Sequence, residues 1–124
     1  MSEFFYLNVE EALELIRLLG AGPVRDVGLL DSALARPQSS AFGEDAYPTL
    51  QLKAAALMHS LVKNHSLMDG NKRLAFLSTH TFFEINGYEL DISLDEGYEL
   101  VLEIAGGDVN LEEIASRLRT KKIN

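Results

Sequence analysis

The sequence predicts an all-α domain of about six helices with one central, buried helix. Capping-box spacings recur along the chain, at Asn8 with Glu11, Ser93 with Glu96 and Asn110 with Glu113. Apolar residues recur at helical intervals in two long stretches. The extended candidate, Tyr88-Glu89-Leu90, is too short to imply a sheet.

Taken in order, the first helix opens at Asn8, carries Leu13, Ile16 and Leu19 on one side, and stops at Gly20. Gly20, Gly22, Pro23 and Gly28 mark a loop, in which Arg25 and Asp26 are placed to form an ion pair. A short helix is expected over Leu29 to Ala35, ended by Pro37, and then a long irregular loop from Arg36 to Pro48. Thr49 caps a third helix with an apolar stripe of Leu50, Ala54, Leu57, Met58 and Leu61. A fourth begins near Gly70 and runs to Asn86, with Gly87 as its stop. Its Leu74, Phe76, Leu77, Phe82, Phe83 and Ile85 surround the axis, so it is expected in the middle of the domain. Two further helices open at Ser93 and Asn110, the first ending at Gly106-Gly107. The cations Arg117, Arg119, Lys121 and Lys122 read as favourable charges at a helix C-terminus and a frayed tail.

Size and composition bound the function. A chain of 124 residues fits one domain over positions 1–124. Apolar residues make up 47% and charged residues 24%, the balance of a soluble globular protein. A net charge of -8 argues against binding nucleic acid directly, since phosphate neutralisation needs a basic surface, and suits a protein that meets other proteins. The chain has no cysteine, hence no disulfide, thiolate metal site or cysteine nucleophile, which fits a reducing cytoplasm. It shows neither a secretory signal nor an apolar run near the roughly 20 residues that span a bilayer.

Chemistry concentrates in His65-Ser66-Leu67-Met68-Asp69-Gly70-Asn71-Lys72-Arg73, between the two longest helices. A helix start offers unpaired N–H groups and a partial positive charge to phosphate oxygens. Gly70 lets the backbone approach those oxygens, and Lys72 and Arg73 add full charge. Asp69 is a hard oxygen ligand suited to Mg²⁺, and His65 can take up a proton near neutral pH. The same residues also read as an ordinary turn, a helix cap and a solvated first turn. Local chemistry leaves both readings open.

The segment resembles the Fic-domain motif, His-x-Phe-x-Asp/Glu-Gly/Ala-Asn-Gly/Lys-Arg, and most of all its death-on-curing branch of toxins. The resemblance extends to Gly22 through Pro37, which is similar to that branch's N-terminal block, and to Phe42 through Pro48, similar to its loop before the third helix. It implies a Fic-fold domain, with His65 as general base on a target hydroxyl and Asp69 holding Mg²⁺. Gly70 and Asn71 would line an anion hole, and Lys72 and Arg73 would contact phosphates. Tyr47 and Pro48 are candidates for gripping the target segment, with loop packing as the plainer alternative. Two departures stand out: Leu67 where phenylalanine is usual, which keeps the position apolar, and Ser66 where proline is common, which is expected to loosen the loop. Adenylylating members usually have glycine in place of Lys72 and a second arginine in place of Phe76. The pattern here goes with a flipped nucleotide whose γ-phosphate faces the target. The resemblance thus implies a cytoplasmic toxin that uses ATP and Mg²⁺ to phosphorylate a protein hydroxyl, on a threonine of translation elongation factor Tu, and that is restrained by a cognate antitoxin. Adenylyl transfer on the same scaffold and a silent binding module are the alternatives. His59 and His80, in the two long helices, read as core or surface histidines.

Overall fold

The computed structural model describes residues 3–124. Six α-helices fold around one apolar core: α1 (Val9–Leu19), α2 (Val27–Ala35), α3 (Leu50–Asn64), α4 (Asn71–Ile85), α5 (Leu94–Gly106) and α6 (Leu111–Arg117). The predicted all-α class holds. Asn8 and Ser93 make reciprocal capping boxes with Glu11 and Glu96. In α6 the forward half forms, with Asn110 Oδ1 accepting the Glu113 N–H at 2.8 Å. Thr49 caps α3 through the Leu52 N–H, as its sequence position implies.

Four expectations are corrected. Helix α2 begins at Val27, because the Asp26 carboxylate caps it by accepting the Leu29 N–H at 3.0 Å; Gly28 therefore lies inside the helix. The stretch from Arg36 to Pro48 is not wholly irregular. It holds a 3₁₀ turn (Arg36–Gln38) and a two-stranded hairpin, β1 (Ser40–Ala41) with β2 (Glu44–Asp45). The C-terminal segment is not frayed: β4 (Thr120–Lys122) pairs antiparallel with β3 (Tyr88–Leu90), so Tyr88-Glu89-Leu90 does belong to a small sheet. Arg119 and Arg117 fasten this end to Glu96 and Glu103 on α5, each at 2.8 Å. Finally, α4 shares the interior with α3, and α3 is the more enclosed. Nine of its residues are buried, and it packs against α2, α4, α5 and α6.

One of those nine is a lysine. Lys53 is fully buried, donating to the Pro37 carbonyl at 3.1 Å and to the Asp45 carboxylate at 3.2 Å. The Phe4 and Tyr6 rings lie 4.9 and 5.6 Å from its ammonium. A buried cation persists only when paired and hydrogen-bonded, and these partners tie the hairpin and the N-terminal segment to the start of α3. No helix of the described residues is long and apolar enough to cross a membrane.

Candidate active site

The loop between α3 and α4 is held by main-chain bonds to the segment between α1 and α2. Gly22 donates to the Asp69 carbonyl at 2.9 Å and Met68 to that of Pro23 at 2.9 Å. Arg25 and Asp26 both donate to the Ser66 carbonyl, at 2.7 and 3.1 Å, and Val24 bridges Leu67. This gives the Gly22–Asp26 block its structural purpose. Ser66, at which the loop is expected to loosen, accepts the Arg25 and Asp26 bonds through its carbonyl. Its side chain is buried, and its hydroxyl is one of two buried polar atoms without a hydrogen-bond partner among the described residues. Leu67 is buried and anchors the loop in the core. The expected Arg25–Asp26 pair is replaced by two separate duties. Asp26 caps α2, and the Arg25 guanidinium donates to the His65 carbonyl through Nε at 3.0 Å and through Nη2.

His65 ends α3 in the left-handed region, at φ 50° and ψ 51°, and its side chain is exposed. Asp69 and Arg73 stand one helical turn apart with 3.4 Å between Oδ2 and Nη2; the Asp69 side chain is 81% exposed. Arg73 also donates to the Leu19 carbonyl at 3.1 Å. Asn71 does not point its amide at an open anion hole. Its Oδ1 accepts the Leu67 N–H at 3.0 Å and its Nδ2 donates to the Leu67 carbonyl at 2.9 Å, so it staples the loop. Lys72 is exposed.

Gly70 starts α4 at φ 96° and supplies no side-chain cap, whereas a side chain caps each of the other five helices. The first-turn N–H groups of α4 are therefore left to an outside acceptor. His65, Met68, Asp69, Gly70, Asn71 and Lys72, with Val62 and Ala105 behind them, line a cleft of about 200 Å³. A second hollow of about 260 Å³ continues over Asp69 to Arg73 and reaches Tyr98. Beyond it lies an apolar groove of about 460 Å³, walled by Leu19, Phe76, Leu77, Leu94, Tyr98 and Val101. Phe76 packs on α5 so closely that a Cβ on Gly97 would overlap its ring.

The structure thus brings His65, Asp69, Gly70, Asn71 and Lys72 to one cleft, and Arg73 to the hollow that adjoins it over Asp69 to Lys72. Tyr47 is elsewhere engaged: its hydroxyl accepts from Arg36 Nε at 2.9 Å, while Pro48 is exposed. No group of three His, Asp or Glu side chains among the described residues is arranged to hold a metal. One exposed carboxylate suits Mg²⁺ arriving with phosphates, because that ion commonly keeps its waters and takes one or two protein carboxylates. His80 pairs with Glu84 at 3.4 Å, in keeping with a surface histidine.

The profile of the Fic/DOC family matches residues 6–83, which run from the N-terminal segment through nearly all of α4. Among curated proteins, the chain is 48% identical over 117 residues to a protein named Toxin Doc from Mycolicibacterium smegmatis, covering 91% of this chain and 90% of the relative.

Proposed function

Because the chain belongs to the Fic/DOC family, we propose that it is the toxin of a toxin–antitoxin pair and transfers the γ-phosphate of ATP to a hydroxyl of a target protein, elongation factor Tu being the first candidate. One observation carries the reading: the uncapped start of α4, with Lys72 and Arg73 in its first turn, opens on the cleft that His65 and Asp69 border. In this reading the α4 N–H groups and the two cations bind the phosphates, since backbone donors and full charges there need no rearrangement as charge moves. His65 takes the proton of the target hydroxyl as the hydroxyl oxygen bonds to the γ-phosphorus. The bond from that phosphorus to the β–γ bridging oxygen breaks, and ADP leaves with the electron pair. Asn71 and Arg25 act by position, the first holding Leu67 and the second holding the carbonyl of His65. Asp69 would hold Mg²⁺, which when bound neutralises charge on the phosphates. Phe76 stands at the sequence position where adenylylating members carry a second arginine, and the lack of that phosphate-binding cation favours the γ-phosphate as the transferred group. The antitoxin would cover the apolar groove beside the cleft.

Incubation with elongation factor Tu and ATP labelled at either phosphate tests the transferred group. Label from the γ-position should appear on the target and label from the α-position should not; Lys72→Gly should reduce the transfer. Labelling from the α-position by the unmodified chain would overturn the kinase reading in favour of adenylyl transfer. A second expectation concerns the metal. Asp69→Asn should weaken nucleotide binding in the presence of Mg²⁺ and leave binding without the ion nearly unchanged. Calorimetric titration with and without Mg²⁺ checks this, and equal affinity of both proteins with the ion present would remove Asp69 from the metal site.

A further inference from the structure

Away from the phosphate cleft, on the α2 side of α3, a polar groove of about 470 Å³ is lined by Ser32, Ala35, Arg36, Ser39, Ser60 and Asn64. It reaches from the base of the hairpin to the residue preceding His65. Arg36 is its cation. The guanidinium donates to Tyr47 Oη at 2.9 Å and to Ser60 Oγ at 2.9 Å, lies 3.0 Å from His59 Nδ1, and stacks 5.5 Å from the centre of the Tyr47 ring. Burial first, and then the charges of Arg36 and Lys63, lowers the His59 pKa, so the ring stays neutral and Nδ1 can accept. All three anchors are therefore uncharged. Arg17, Arg73, Arg117 and Arg119 each meet a carboxylate; among the described residues Arg25 and Arg36 do not, and Arg25 spends its guanidinium on the His65 carbonyl. Nη2 of Arg36 has no hydrogen-bond partner among the described residues. A half-buried, oriented guanidinium without a counter-charge, in a chain of net charge -8, is built for an anion from outside.

We propose that this groove is the subsite for the target segment flanking the acceptor hydroxyl, and that Arg36 selects an acidic side chain in that segment. The proposal deepens the transfer reading and rests on it for the identity of the acceptor. Tyr47 acts here as a positioning residue: it turns the guanidinium toward the groove and leaves the contact with the target to Arg36. The serine and asparagine side chains of the walls offer hydrogen bonds to an extended main chain.

The test uses the full chain, ¹⁵N-labelled, and two capped peptides of equal length. Each carries one threonine, and they differ only by glutamate or glutamine a few residues away. The acidic peptide should shift the Arg36 Nε–H resonance and the Ser60 and Asn64 amides, and should bind about tenfold more tightly than its neutral twin. Arg36→Gln should erase that preference and leave Mg–ATP affinity unchanged. Should Arg36→Gln fold poorly, Ala35→Glu, at an exposed position on the groove wall, supplies an internal carboxylate and should erase it equally. Equal binding of the two peptides, shifts located elsewhere, or a preference that survives either variant would overturn the proposal. The isotope-labelling experiment reports separately on the transfer reading. Peptide preference without any transfer sinks that reading alone, and transfer without preference sinks this one.

Discussion

Replacing His65 should reduce phosphate transfer by about 10²–10⁴-fold, the usual contribution of a general base, while the melting temperature stays close to that of the parent chain. The choice of replacement follows from the backbone. His65 sits at φ 50° and ψ 51°, where asparagine is tolerated better than most residues and alanine is strained. His65→Asn is therefore the clean variant, removing the base and keeping the turn. The contacts that fix this turn involve the His65 carbonyl and not its ring, so Arg25 should still hold the loop. Transfer by a folded His65→Asn protein at the parent rate would exclude His65 as the base.

The largest structural effect is expected at Gly70. The family pattern accepts glycine or alanine here, but in this fold a Cβ at Gly70 would lie 2.5 Å from Ala21 Cβ and 3.0 Å from Arg73 Nη2. Arg73 can move aside, whereas Ala21 belongs to the segment bonded to the loop. Alanine also meets the strain of φ 96°, worth about 1–3 kcal/mol by itself. Gly70→Ala should lower the melting temperature by roughly 4–12 °C and disturb the start of α4, with loss of nucleotide affinity. Adding Ala21→Gly should relieve the overlap and not the strain, restoring part of both losses. An unchanged melting temperature in Gly70→Ala would mean that the two segments are not pressed together as described.

Much of this site is legible in the sequence, because its signals are local. Side chains that cap a helix act within three residues, so Asn8, Thr49 and Ser93 announce their helices. The cluster from His65 to Arg73 declares its chemistry by residue type alone. What stayed hidden depends on distant partners. Nothing near Lys53 in the sequence reveals that Phe4, Tyr6, Pro37 and Asp45 converge on it. Arg36 lies in a stretch that looks irregular, and its anchors come from Tyr47, His59 and Ser60. The family resemblance implies an anion-hole role for Asn71, whereas the two bonds that turn its amide back on Leu67 form only once the loop has closed. The tail cations from Arg117 onward fit a helix end equally well; only their pairing with α5, and that of β4 with β3, separates the two accounts.

The seam between Gly22–Asp26 and Ser66–Asp69 has a further consequence. Its bonds run from N–H to C=O, and every residue type except proline offers both groups. Apart from Gly22, held at φ 99°, the seam is thus written in chain length and spacing more than in residue identity. Exposed side chains along it, such as Met68, can be exchanged at small cost. A single inserted or deleted residue within Gly22–Asp26 would slide one edge past the other and break all of these bonds at once, leaving a motif with every reactive side chain intact and no common place to put them.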